Sequence, residues 1–74
     1  MARLPQVTGE ETLRRLKRLG MEECRRSGSH VIVQNPETGE SSSVPVHGSK
    51  DVKKGTLNAI LKQLSISRDD FADA

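Results

Sequence analysis

Leucines recur at 13, 16 and 19, and the positions between them are mostly charged. That spacing belongs to a helix with one apolar face. Thr8-Gly-Glu-Glu11 stands before it as a capping box: the Thr8 hydroxyl accepts from the amide three residues on, and Glu11 reaches back to the Thr8 amide. Gly20 supplies a left-handed stop, so a first helix is predicted over about 9–19. From Met21 the period changes. Residues 21–27 predict a strand with Cys24 toward its inner face, Ser27-Gly28-Ser29 a turn, and the β-branched run His30–Gln34 a second strand. Val31 and Val33 share one side of that strand, and His30, Ile32 and Gln34 the other; either side can face the core. Asn35–Gly39 is turn material, and 40–46 predicts a third strand that Pro45 weakens or ends.

His47–Asp51 reads as a loop. A second helix begins at Lys53 or Lys54 and runs to about Leu64, with Leu57, Ile60, Leu61 and Leu64 on one face. Ser67 is a second N-cap signature, starting a short terminal helix that carries Phe71. Short links between three strands imply an antiparallel meander. The fold class is therefore α+β, in the order α-β-β-β-α with a short C-terminal helix. Two helices lie on one face of a three-stranded antiparallel sheet, and 1–74 forms a single domain.

Composition narrows the function. With 32% hydrophobic residues and Phe71 as the one aromatic, the core is built from Leu, Ile and Val. A chain of 74 residues has little room for a closed substrate cavity, so an open-surface function is expected. No apolar run approaches a membrane span, Met1–Glu11 has no apolar leader core, and the lone Cys24 fits a reducing cytoplasm. The net charge of +2 is unevenly spread. Residues 1–68 hold twelve basic and seven acidic side chains, whereas Asp69, Asp70 and Asp73 make the tail acidic. A basic body draws polyanions irrespective of sequence. With its one aromatic in the tail, the chain offers no base-stacking platform, which predicts recognition of backbone and shape.

Two places carry candidate chemistry. Arg25-Arg26 precedes Gly28-Ser29-His30, which sets a histidine at the mouth of a strand, either as a surface residue or as a proton-transfer group. At most one of Arg25 and Arg26 points with His30, and Arg26 is taken as the phosphate contact. Gly28 supplies a turn or a close approach, and Ser29 the turn. Lys53-Lys54-Gly55 at the start of the second helix combines free amides, the helix dipole and two lysines into an anion site. His47 is either a loop residue or a second member of an acid–base pair. Arg14, Arg15, Lys17 and Arg18 form a further basic strip that is either solvated or phosphate-binding. Cys24 and the two histidines have no paired spacing, so no metal site is expected.

The stretches "LPQVTGEETLRRLKRLG", "RRSGSH", "VPVHGSKDVKKGTLNAILKQLSIS" and "DDF", in this order, resemble the HicA toxin family of bacterial toxin–antitoxin systems. The resemblance covers nearly the whole chain. It implies a fold similar to the double-stranded-RNA-binding domain and a ribonuclease that cleaves messenger RNA and stops growth; no cofactor is expected, and a monomer is expected in the absence of the antitoxin. It also implies a HicB-like antitoxin that covers the active surface. His30 matches the family's functional histidine, and Gly28 the glycine before it. Two departures stand out: Val31 follows the histidine where a polar or aromatic residue is frequent, and Glu40-Ser-Ser-Ser43 replaces basic residues. They favour the alternative of a catalytically silent RNA-binding module. A third reading is a protein-interaction domain whose basic face meets an acidic partner.

Overall fold

Val31 and Val33 on the middle strand and Val44 on the third turn one side of a sheet into an apolar floor, and all three are buried. The computed structural model describes residues 4–74; residues 1–3, where the predicted domain and the segment read for a leader begin, lie outside the described residues. The elements are α1 (Gly9–Arg18), β1 (Glu22–Ser27), β2 (His30–Gln34), β3 (Ser41–Pro45), α2 (Lys54–Gln63) and α3 (Arg68–Asp73). The sheet is antiparallel in the order β1-β2-β3, as the short links require. The expected α+β architecture is what forms, with α1 and α2 both on the valine face.

Leu13 and Leu16 of α1, and Leu57, Ile60, Leu61 and Leu64 of α2 and its cap, close over the valines. Each such side chain contributes about 1.5–3 kcal/mol relative to an exposed one. Leu19 packs only at the margin of this core. Phe71 is fully buried, so the one aromatic serves packing and is withheld from any ligand. The short α3 is held by α1: the Arg15 guanidinium donates to the carbonyls of Phe71 and Ala72, both at 3.1 Å, and lies 5.6 Å from the Phe71 ring centroid. Arg18 donates to the Ala74 backbone oxygen at 3.0 Å. Arg15 is thereby a tertiary clamp rather than part of a free phosphate strip.

The capping box forms by halves. Thr8 Oγ1 accepts from the Glu11 amide at 3.1 Å, but the Glu11 carboxylate turns to Arg14 at 2.7 Å and Arg15 at 3.0 Å. Ser67 caps α3 as expected, accepting from the Asp70 amide at 3.1 Å. Cys24 departs from expectation. Counting alternation back from the Ser27–His30 pair puts it inward, but a bulge between Glu23 and Arg25 leaves Cys24 unpaired and exposed, and Glu23 takes the inward position opposite Val33.

Gly9 is buried where α1 meets the end of β3. A Cβ there would run into the Pro45 carbonyl oxygen and come within 2.8 Å of Val46 Cα, both backbone atoms that cannot swing aside. Gly9→Ala is expected to lower stability by about 1–3 kcal/mol in urea titration. Gly55→Ala, with open space around the new methyl, is expected to raise it by up to ~1 kcal/mol. Equal effects at the two sites would contradict the packing described here.

The Arg15 hydrogen bond, outweighing partial desolvation and aided by the Arg14 and Arg18 charges, holds the Glu11 carboxyl below its ordinary value of 4.5. A lowered folded value contributes stability that is complete above 4.5 and is lost as pH falls through the folded value. Urea midpoints measured as pH falls through the carboxylate range are expected to drop more for the parent than for Glu11→Gln. Parallel acid curves would show that the Arg15 bond stabilises nothing.

Candidate functional site

His30 opens β2 directly after a two-residue hairpin turn, paired with Ser27 on one side and Pro45 on the other. Gly28 has φ 58°, and a Cβ there would meet nothing. It is glycine for the left-handed first position of the turn, not for close packing. Since Val31 and Val33 take the core side, His30, Ile32 and Gln34 face away from the helices, which settles the open choice of register. His30 is thus exposed by the pleat of a strand whose neighbours are among the best-buried residues of the molecule.

His47 arrives at the same corner from the other side of the sheet's end. The Val46 amide donates to the Ser29 carbonyl at 2.6 Å, tying the residue before His47 to the hairpin that presents His30. Gly9 packs against Pro45 and Val46 from behind. At the far end of the loop, the Val52 amide donates to the Val7 carbonyl at 2.8 Å, and Thr8 bridges to Asp51. Between these ties the chain turns through Gly48, at φ 59°, with the Lys50 amide donating to the His47 carbonyl at 3.1 Å. The outcome is an edge-to-face pair: the His30 and His47 ring centroids are 6.1 Å apart and the planes cross at 84°. Neither ring has a hydrogen-bond partner among the described residues.

The loop and the start of α2 enclose a cleft of about 350 Å³ lined by Pro45, His47, Lys50, Asp51, Val52, Lys53 and Thr56. Lys53 is the N-cap of α2 and provides no side-chain cap, and the first turn holds no acidic residue. By contrast α1 and α3 are capped by Thr8 and Ser67 and have acidic first turns. The amides at the start of α2, including those of Lys54 and Gly55, are therefore left to an outside acceptor. Gly55 is exposed with open space beside it. Lys50, Lys53, Lys54 and Arg25 make no ion pair among the described residues, whereas Arg14, Arg15, Lys17 and Arg26 are each bound to a glutamate.

Arg26 is not brought to His30. It is paired with Val31 across the strands, so it points to the helix side, where Glu10 lies at 3.5 Å and Glu23 at 3.8 Å. Arg25, opposite Ile32, is the arginine that shares the face of His30. The hairpin itself held that signal: fixing Ser27 opposite His30 assigns Arg26 to the buried side. Two contributions were not legible. Lys50 is separated from Lys53 by Asp51 and Val52 and looks like ordinary loop, and Ser29 acts through its backbone carbonyl, which no side-chain motif encodes.

Of the two departures, only Ser41 and Ser43, exposed opposite Gln34 and Ile32, share the outer face with His30. Val31 is fully buried and belongs to the core. Ser42 donates to Gln63 Oε1 at 2.6 Å, and Glu40 accepts from the Ser65 hydroxyl at 2.7 Å, so both hold the C-terminal end of α2. They lie toward the end of β3 opposite to Pro45, the partner of His30. A larger trough of about 560 Å³ runs beside β1 past Lys17, Cys24 and Arg25, but contains no histidine.

No curated protein matches the chain. The family model described as the HicA toxin of bacterial toxin-antitoxin matches residues 9–66, a span that runs from the start of α1 past the end of α2 and takes in both histidines and the uncapped start of α2. Since that match covers well over half of its length, the chain belongs to the HicA toxin family.

Proposed function

We propose that this toxin is a metal-independent ribonuclease that cleaves messenger RNA in the cytoplasm, with His30 as general acid or base. RNA supplies its own nucleophile, the 2′-hydroxyl next to each phosphate. What the protein must add is proton transfer and positive charge on the phosphate. The observation that carries the reading is an exposed histidine beside a cleft whose cations, Lys50 and Lys53, have no carboxylate partner. Lys53, Lys54 and the backbone at Gly55 receive phosphate oxygens at the uncapped start of α2. Gly28 and Ser29 hold the turn that fixes His30.

The same surface explains how a partner silences the protein. The family works as toxin with antitoxin. A HicB-like antitoxin that sets carboxylates against Lys50, Lys53 and Arg25 occupies the place of the phosphates and covers His30 in one step. Without it the toxin acts as a monomer. Of the departures that favour the silent-module alternative, Val31 is core and Glu40 and Ser42 contact the C-terminal end of α2, while Ser41 and Ser43 put no charge on the outer face they share with His30.

Induction of the chain in bacteria is expected to stop growth and fragment messenger RNA, with co-expression of a HicB-like partner restoring growth. His30→Ala at equal folded protein is expected to lower cleavage by roughly 10²–10⁴-fold, the usual range for a positioned acid or base. Intact RNA with the folded parent overturns the proposal. In a second measurement, RNA affinity of the His30→Ala protein is followed against salt. Adding Lys53→Ala and Lys54→Ala is expected to weaken binding and to flatten the log–log slope by about 1.4, at roughly 0.7 per single-strand phosphate contact. An unchanged slope removes both lysines from the interface.

A further inference from the structure

We infer that His47 is the second proton-transfer group of the site, so that His30 and His47 share the two proton movements of one RNA cleavage. The inference rests on the ribonuclease reading above and adds a catalytic residue to it. In-line attack puts the nucleophile and the leaving group on opposite sides of phosphorus. One imidazole therefore cannot serve both oxygens at once, and two groups must approach the phosphate from different directions. His30 comes from the sheet and His47 from the loop after β3. Their rings stand edge to face with centroids 6.1 Å apart, close enough for one phosphodiester to span both.

The chemistry balances with these two groups and the substrate alone. The 2′-oxygen attacks the adjacent phosphorus; the O2′–P bond forms and the P–O5′ bond breaks. A neutral imidazole accepts the 2′-hydroxyl proton, and the other, as imidazolium, gives its proton to the departing 5′-oxygen. The products are a 2′,3′-cyclic phosphate and a 5′-hydroxyl end. Exchange with water returns each histidine to its starting form.

The surroundings of His47 fit this role better than that of a loop residue. A histidine that merely stabilised its loop would be expected to bond to backbone, yet its ring has no hydrogen-bond partner among the described residues. The loop instead is held by backbone: Val46 to Ser29 at one end and Val52 to Val7 at the other. His47 also lines the cleft with Lys50, Lys53 and the single carboxylate, Asp51, so a phosphate drawn to the two lysines lies against its ring.

Two substrates separate an acid or base from a residue that only binds or positions. One is a ribodinucleotide, whose 5′-oxygen needs a proton to leave. The other is a ribonucleoside 3′-(4-nitrophenyl) phosphate, whose leaving group needs none. The full chain is compared with His30→Ala and His47→Ala, each checked for an unchanged thermal unfolding transition; both side chains are exposed, so folding is expected to survive. Each variant is expected to cleave the dinucleotide roughly 10²–10⁴-fold more slowly. The variant lacking the acid is expected to regain most of the parent rate on the nitrophenyl ester, while the variant lacking the base stays slow. A His47→Ala rate within threefold of the parent overturns the inference and leaves the nuclease reading standing. Loss in both variants with neither restored on the activated ester also overturns it, making His47 a binding or positioning residue. No cleavage by the parent overturns the nuclease reading and this inference together.

Discussion

A few backbone contacts around residues 45–52 hold the rest of the site in place. Gly9 gives α1 a surface flat enough to press on the Pro45 carbonyl and Val46, and Ser29 accepts from the Val46 amide on the other side. The Val7–Val52 hydrogen bond then ties the entry to α1 to the entry to α2. Main-chain groups have no rotamers to lose, so such a clamp positions a loop at less entropic cost than long side chains do. It brings two histidines, seventeen residues apart in sequence, to one corner and sets the start of α2 beside them. A chain with a small core cannot wall in a substrate, but it can hold an open surface rigid in this way.

The architecture was legible because its signals are periodic. Leucines at helical spacing, a β-branched run between two turns, and the cap residues Thr8 and Ser67 each mark an element from within that element. The candidate residues split along the same line. Gly28, His30 and the Lys53–Gly55 helix start stand where their local patterns put them, because a turn and a helix N-terminus are local objects. Arg26 was misplaced although the hairpin register, with Ser27 opposite His30, assigns it to the helix side; Cys24 was misplaced because a bulge between Glu23 and Arg25 shifts its facing, and nothing in the strand marks that bulge. The proximity of His47 to His30 was beyond sequence reading altogether. It rests on a carbonyl–amide contact between Ser29 and Val46, and every residue type except proline can donate such a bond.

Charge distribution completes the separation of scaffold from site. On the α1–β1 side, Glu10, Glu11 and Glu23 pair with Arg14, Arg15, Lys17 and Arg26, largely at the surface, and only Arg15 is substantially covered. Around the histidine corner the balance differs: Lys50 and Lys53 have Asp51 as the one carboxylate in their cleft, and its backbone is bound to Thr8. The acidic tail is fastened elsewhere. Arg15 and Arg18 fasten α3 to the C-terminal part of α1, whereas Gly9 at the N-terminal end marks the site. A net charge of only +2 for the whole chain is compatible with lysines at the histidine corner that are unpaired among the described residues, because Glu10, Glu11 and Glu23 are engaged on the α1–β1 side.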